Sequence, residues 1–221
     1  MHNIILICTV HFNNGLCNEI ELCKIIENIS PEIIFEEIPP STFDDYYKYK
    51  SKNNLESNAI NNYLKNYKCK HIPVDYDYIP SKLYFDEYGS VHHEVEKRSN
   101  IYKNIIDSQY IYKEYYGFKF LNSAYSVQLY RQLYDEIEVV LKLMNNEKIT
   151  RINEKWKEII EKRETEMINN IYNYCENNEF ERGLFFIGAG HRESIIKKIN
   201  NYIEKNILNI NWNYNNYNNI I

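Results

Sequence analysis

The chain has 221 residues, of which 44% are hydrophobic and 26% are charged, and its formal net charge is −5. These values are typical of a globular protein with one full-sized core, and they exclude a wholly disordered chain. The acidic balance, with no Lys/Arg cluster standing free of nearby acids, argues against nucleic-acid binding, and no apolar run approaches the roughly 18–20 residues that a membrane span needs.

The first elements in chain order are an apolar run at residues 4–10 and a helical pattern at residues 16–29. The run lacks the basic start and the small-residue cleavage site of a secretory signal, so we interpret it as a core strand. Ser30 and Pro31 are predicted to end the helix. The five cysteines are odd in number and form no CxxC pair, which predicts reduced thiols in a cytoplasmic protein.

Three further short runs, at residues 33–38, 71–74 and 184–187, have the same character as the first. Each is β-branched or aromatic and apolar on both faces, which is typical of parallel strands that helices cover on both sides. A helix at residues 54–67 is predicted to lead from the second strand to the third.

The section at residues 91–175 contains no convincing strand and no proline. Apolar residues recur at helical spacing over residues 123–144 and 153–174, which predicts two long amphipathic helices with a turn at Asn145 and Asn146. A last helix is predicted at residues 193–207. The final dozen residues are predicted either to form an edge strand or to fray.

The predicted fold class is therefore α/β, with a central, mostly parallel sheet and helices on both of its faces. A long helical section lies between the third and the last core strands. In this prediction residues 1–221 form a single domain, and residues 91–175 form a helical section or cap within it. Strand–helix–strand units of this kind are connected by right-handed crossovers.

Two of the predicted strands are each followed by a histidine. The run at residues 4–10 leads into His11, and the run at residues 184–187 leads through a Gly-Ala-Gly turn into His191. Glycines directly after a strand allow a tight turn and a close backbone approach to a ligand. Because open α/β sheets bind ligands at the edge where parallel strands end, we expect both imidazoles in one cleft. The alternative for His191 is a cap on the following helix.

Carboxylates mark the ends of the other two strands. Side chains alternate along a strand, so Glu36 and Glu37 are predicted to point to opposite faces, with one of them in the cleft. Asp75, which follows residues 71–74, is either a further cleft residue or a cap.

Arg163 is predicted to lie on the apolar stripe of a helix, between Ile160 and Met167. An arginine on an apolar face costs free energy unless it pairs with a buried acid or an anionic ligand, which favours a role in the cleft. The alternative is a side chain with its stem in the core and its head in water. His92 and His93 lack a metal-ligand spacing and are interpreted as surface residues.

The order of these motifs resembles that of the TraB/PrgY/GumN family, which includes the TIKI proteases and is related in fold to the erythromycin-esterase and ChaN-like proteins. The order and approximate spacing agree over nearly the whole chain. One position departs from the pattern, because the first motif of the family begins with glycine and Cys8 occupies that place. The matching segments are Cys8-Thr9-Val10-His11, Ile34-Phe35-Glu36, Arg163 through Met167, and Ile187-Gly188-Ala189-Gly190-His191.

The resemblance implies a hydrolase-like cleft in which the two histidines, a glutamate and the arginine meet. TIKI-type members are regarded as metal-dependent peptidases, whereas the esterase-like relatives are taken to use a histidine and glutamates without metal. Carried over to this chain, His11, Glu36 and His191 are metal ligands or acid–base groups, and Glu37 competes with Glu36 for the cleft. Arg163 binds an anionic group or orients the glutamate. The cofactor implied is a divalent metal, Mn, Co or Zn.

The function predicted from the sequence is therefore a hydrolase, with or without a metal, that cleaves a peptide or ester bond. Either the metal or an unassisted histidine or Glu36 would activate water, and Arg163 would stabilise the developing oxyanion. The alternative is a non-catalytic ligand-binding or regulatory module that keeps the fold. The expected partner is a small-molecule or peptide substrate, and neither nucleic acid nor a membrane is expected. Assembly into a homo-oligomer is compatible with the sequence.

Overall fold

The computed structural model describes residues 2–205 and 208–214 of the chain. Its strands are β1 (His2–Thr9), β2 (Ile33–Glu36), β3 (Lys70–Pro73), β4 (Arg182–Gly188) and β5 (Ile210–Asn213). Its helices are α1 (Glu19–Ile29), α2 (Phe43–Tyr47), α3 (Leu55–Tyr63), α4 (Lys82–Arg98), α5 (Asn100–Leu121), α6 (Ala124–Met144), α7 (Glu147–Asn177) and α8 (Arg192–Glu204). Short 3-10 helices, Pro40–Thr42 and Ala189–His191, precede α2 and α8.

The five strands run parallel in the order β3-β2-β4-β1-β5. All four residues of β2 and five consecutive residues of β4 are buried. Because successive side chains point to opposite faces of a sheet, this burial means that both faces are covered. The helices α4 to α7 form the long section between β3 and β4. The predicted α/β class, parallel sheet and helical section are confirmed.

The four predicted core strands agree with β1 to β4 to within two residues at each end. Of the final dozen residues, 210–213 form the edge strand β5 beside β1, and residues 215–221 lie outside the described part. The helix predicted at residues 193–207 is α8, which begins one residue earlier and ends at Glu204; residues 206 and 207 are not described.

Capping residues mark the start of α1 and α7 and the end of α1 and α6. Asn18 accepts hydrogen bonds from two backbone amides of the first turn of α1, and Ser30 ends that helix in the left-handed conformation, with φ of 48°. Asn145 ends α6 in the same conformation, with φ of 46°, and Asn146 caps α7. The predicted turn is thus confirmed. None of the helices in the described ranges has the length and apolar character needed to cross a membrane.

Two glycines hold the loop after β1 against α5. Gly15 and Gly117 both have φ of +54°, where a side chain is strained. A Cβ atom on Gly15 would lie 2.3 Å from the carbonyl oxygen of Glu114, and one on Gly117 would lie 2.8 Å from Leu16. The Leu16 amide donates a hydrogen bond of 2.9 Å to that same carbonyl. The loop that carries His11 is therefore tied closely to the helical section.

Cys8, the residue that departs from the family pattern, is fully buried in β1. Its backbone amide donates to the Asn122 side chain at 2.8 Å, and its carbonyl accepts from the same side chain at 3.1 Å. Burial raises the pKa of the Cys8 thiol above its ordinary value, with Arg192 opposing the shift. A neutral, packed thiol thus occupies the position at which the resemblance predicts glycine.

Candidate functional site

Four of the predicted site residues lie at the ends of three neighbouring strands, β2, β4 and β1. Glu36 is the last residue of β2, and Glu37 comes directly after it. His11 comes two residues after β1, and His191 ends the 3-10 helix that succeeds β4. This edge, where parallel strands end, is the part of an α/β sheet where ligands bind.

Glu37 is the carboxylate that joins the strand ends. It accepts hydrogen bonds from the Gly188 amide at 2.7 Å and from Arg163 Nη2 at 2.7 Å. The Nε2 atom of His191 lies 3.3 Å from it. Burial alone would raise the pKa of Glu37, but the charge and hydrogen bond of His191 and the charge of Arg163 outweigh burial and hold the pKa well below its usual range. Glu37 is therefore an ionised anchor at neutral pH.

Glu36 uses a separate set of partners. The Tyr47 hydroxyl donates a hydrogen bond to Glu36 Oε2, and Nδ1 of His71 lies 2.8 Å from Oε1. Burial raises the pKa of this carboxyl, although both hydrogen bonds oppose the shift. The structure therefore places Glu37, rather than Glu36, beside Arg163 and His191.

Arg163 reaches the strand ends from α7. Its Nε atom lies 3.1 Å from each oxygen of Asp75, and its Nη2 atom lies 2.6 Å from Asp75 Oδ2. Asp75 is 1% exposed and Arg163 is 20% exposed. One guanidinium thus binds two buried carboxylates, Asp75 and Glu37, with the forked geometry that suits arginine.

His11 is oriented by a carboxylate on α3. Its Nδ1 atom lies 3.1 Å from Oε1 of Glu56, and the Thr9 hydroxyl donates to the same oxygen at 2.7 Å. The hydrogen bond with Glu56 raises the pKa of His11 to about 9, although burial opposes it. His11 is therefore mostly an imidazolium at neutral pH.

His191 has a carboxylate at each ring nitrogen. Nδ1 lies 2.7 Å from Glu164 Oε1, and Nε2 faces Glu37. Burial lowers the pKa of His191, but the charge of Glu37 and the hydrogen bond to Glu164 outweigh burial and raise it to about 10. The Ser194 hydroxyl donates to the other oxygen of Glu164. His191 is thus a buried cation that neutralises two carboxylates.

Sequence reasoning missed Glu56, Glu164 and His71 as members of this site. Glu56 stands in the first turn of α3, where acidic residues commonly complement the helix N-terminus, so its position does not distinguish it. Glu164 follows Arg163 directly in the chain. Its position next to an arginine on the apolar stripe of the helix is the one feature of the sequence that could have indicated a role in the site. His71 lies in a predicted strand, and no pattern marks it as a site residue. His92, interpreted as a surface residue, is in fact partly buried and contacts Tyr102 at 2.7 Å.

A cleft of about 340 Å³ opens at the strand ends, and we call it the strand-end cleft. Its charged residues are His11, Glu37, Asp75 and Arg163. His191 contacts Glu37 but does not itself line the cleft, so the expectation that both imidazoles lie in one cleft is correct for His11 and wrong for His191, whose two ring nitrogens both face buried carboxylates. Aromatic and aliphatic side chains form most of the remaining wall. They are Phe12, Pro39, Tyr46, Tyr78, Ile79, Pro80, Phe85, Trp156 and Ile159. An apolar cleft with a few converging polar groups is the usual form of a small-molecule site.

The residues implied as metal ligands do not converge on one point. Glu36 is turned towards His71 and Tyr47, and both nitrogens of His191 face carboxylates. Across residues 2–205 and 208–214, no three His, Cys, Asp or Glu side chains are arranged to hold a metal ion. The divalent metal stays a prediction of the sequence.

Comparison of the chain with protein-family models, with curated proteins and with solved structures found no significant match. The likeness to the TraB/PrgY/GumN family therefore stays a prediction that rests on the motifs. The geometry of the strand-end cleft is the basis on which a function can be proposed.

Proposed function

We propose that the protein is a hydrolase that cleaves an ester or peptide bond of a largely apolar substrate bound in the strand-end cleft. The observation that carries the proposal is the pairing of His11 with the buried Glu56 at the wall of this cleft, beside Arg163. A histidine oriented by a carboxylate at one ring nitrogen is the usual arrangement for proton transfer at the other.

His11 is suited to act as a general acid. Glu56 holds its Nδ1 atom and raises its pKa to about 9, so Nε2 carries a proton at neutral pH. Its side chain is 48% exposed, which leaves it accessible to a substrate. Protonation of the leaving oxygen or nitrogen by His11 would assist the bond to break.

Arg163 is suited to stabilise charge on the substrate carbonyl oxygen. Its Nε and Nη2 atoms bind Asp75 and Glu37. In the described part of the chain its Nη1 atom has no hydrogen-bond partner, and the residue lines the cleft. A donor held in place by two carboxylates needs little reorganisation when negative charge develops nearby.

The test is hydrolysis of a panel of aromatic and aliphatic esters and short apolar peptides by the wild type, His11→Ala and the control His93→Ala. His93 is an exposed residue of α4. We expect H11A to lose a factor of about 10²–10⁴ in rate. The loss should be larger for alkyl esters than for nitrophenyl esters, because nitrophenolate leaves without a proton. Equal rates for H11A and H93A, or a wild type that cleaves nothing in the panel, would contradict the proposal.

The same assay tests the predicted metal when it is run with EDTA and then with added Mn²⁺, Co²⁺ or Zn²⁺. Calorimetric titration of the wild type, H11A and His191→Ala with each ion supplies a readout besides activity. Metal affinity that is the same in all three proteins would remove a site built on these histidines.

A second candidate function is supported by the two cationic groups of the cleft. Glu56 pairs with His11, and Glu37 and Asp75 pair with Arg163, but both cations also line the cleft, where they suit an anionic ligand with an apolar body that is bound without chemistry. Binding of phenylacetate that H11A weakens, in a protein that hydrolyses no ester or peptide of the panel, would support this binding module over the hydrolase.

A further inference from the structure

A second, much smaller cavity adjoins the strand-end cleft. Its volume is about 10 Å³. It shares His11, Glu37 and Asn54 with the wall of the cleft, so these three residues border both spaces. Its other lining residues are Glu36, Ile38, Glu56 and Phe186. A volume of about 10 Å³ is close to the smallest that can hold one water molecule.

Glu56 presents an unpaired oxygen within this buried region. Its Oε1 atom accepts from Thr9 and pairs with His11. Its Oε2 atom is buried and, within the described residues, has no hydrogen-bond partner. The side chain is only 9% exposed. Leaving a buried carboxylate oxygen without a donor costs free energy, so such oxygens are normally paired with protein or with ordered water.

We propose that the small cavity holds a single water that donates to Glu56 Oε2, and that Glu56 is the general base that removes a proton from this water during hydrolysis. The role as base rests on the proposed hydrolase function, whereas the water site does not. Glu56 would then serve two groups with one carboxylate, because Oε1 orients His11 and Oε2 orients the water.

Hydrolysis by this arrangement balances in atoms and protons. The water oxygen forms a bond to the carbonyl carbon, and the proton it releases goes to Glu56 Oε2. The bond from that carbon to the leaving group breaks, and the leaving oxygen or nitrogen takes the proton from His11 Nε2. The products are a carboxylic acid and an alcohol or amine. Glu56 then loses its proton to solvent, and His11 regains one.

The first test is a crystal structure of the wild-type protein at a resolution that shows ordered waters elsewhere. We expect electron density for one water at about 2.6–3.2 Å from Glu56 Oε2. A cavity without density would overturn the proposal. This test is independent of activity, so it separates failure of the water site from failure of the proposed hydrolase.

The second test is kinetic and uses Glu56→Gln, Glu56→Ala and the control Glu32→Gln, an exposed partner of Arg182. On nitrophenyl esters, whose leaving group needs no proton from His11, we expect E56Q to lose a factor of about 10²–10⁴ in kcat with KM little changed, because a base is removed and the cleft is not. E32Q should match the wild type. Circular dichroism and urea unfolding show whether each variant folds.

Chemical rescue covers the case in which E56Q folds poorly. Formate can enter the space left in E56A and supply a carboxylate, so it should restore part of the rate in E56A and none in H11A. A full rate in E56Q, or no response of E56A to formate, would overturn the role as base. If the wild type hydrolyses nothing, that role fails with the hydrolase, and ordered water in the cavity would still establish the water site.

Discussion

Replacing Arg163 with glutamine should destabilise the protein far more than the loss of an ordinary ion pair. The guanidinium lies 2.7 Å from Glu37 and 2.6 Å from Asp75, and these carboxylates are 6% and 1% exposed. Removing one partner of a buried pair costs about 3–5 kcal/mol, because the other charge stays buried without compensation. The two carboxylates share one cation, so the cost is counted once. We expect R163Q to lose about 3–5 kcal/mol of unfolding free energy at pH 7.

Urea unfolding of the wild type, R163Q and the control Arg182→Gln measures this cost. Arg182 is 48% exposed and pairs with Glu32 at the surface, where a pair contributes about 0–1 kcal/mol. Glu37, whose pKa is held below its usual range, stabilises the wild type above about pH 4.5, and this contribution is lost as the pH falls through its folded pKa. The difference in unfolding free energy between the wild type and R163Q should therefore become smaller as the pH falls below about 4.5. A loss no larger than that of R182Q, or a gap independent of pH, would refute the reasoning.

Three further predictions concern stability and are measured by urea unfolding. The pKa of His191 is raised from the ordinary 6.5 to about 10, so its contribution to the free energy of unfolding is fully present below about pH 6.5 and is lost as the pH rises through about 10. His191→Gln should therefore be less stable than the wild type at pH 7, and its unfolding free energy should fall less than that of the wild type between pH 6.5 and 10. Asn122→Ala should cost about 1–3 kcal/mol, because the buried amide and carbonyl of Cys8 lose their partner. Gly117→Ala should cost at least about 1–3 kcal/mol, because its φ is positive and the new Cβ atom would lie 2.8 Å from Leu16. Gly89→Ala, in α4 with open space at its Cβ position, should gain about 0.4–1 kcal/mol.

The ends of the core strands could be predicted because apolar runs and their abrupt stops are local features. On that basis alone the sequence indicates His11 and His191, and both lie at the strand ends. The partners of these histidines could not be predicted in the same way. Glu56 and Glu164 lie on helices, and whether they face the sheet edge depends on how α3 and α7 pack against it. The spacing of apolar residues within either helix does not show how that helix packs against the sheet edge.

The choice between Glu36 and Glu37 needs the order of the strands. Alternation along β2 separates the two side chains but does not say what lies on either side. In the structure β2 lies between β3 and β4. Glu36 pairs with His71 of β3, and Glu37 accepts from the Gly188 amide at the end of β4. The sequence pattern predicts parallel strands without their order, so it leaves this choice open.

The density of buried charge at the strand ends is a physical reason to expect function there. Five carboxylates, each at most 9% exposed, meet four cationic or ionisable basic groups there. Buried ion pairs seldom stabilise a fold more than apolar side chains of the same size would, so stability alone does not explain this set. The exposed fraction of the four basic side chains falls from 48% for His11 to 20% for Arg163, 18% for His71 and 15% for His191. We infer that the inner groups hold the network in place, and that His11 is the basic group best placed to meet a substrate.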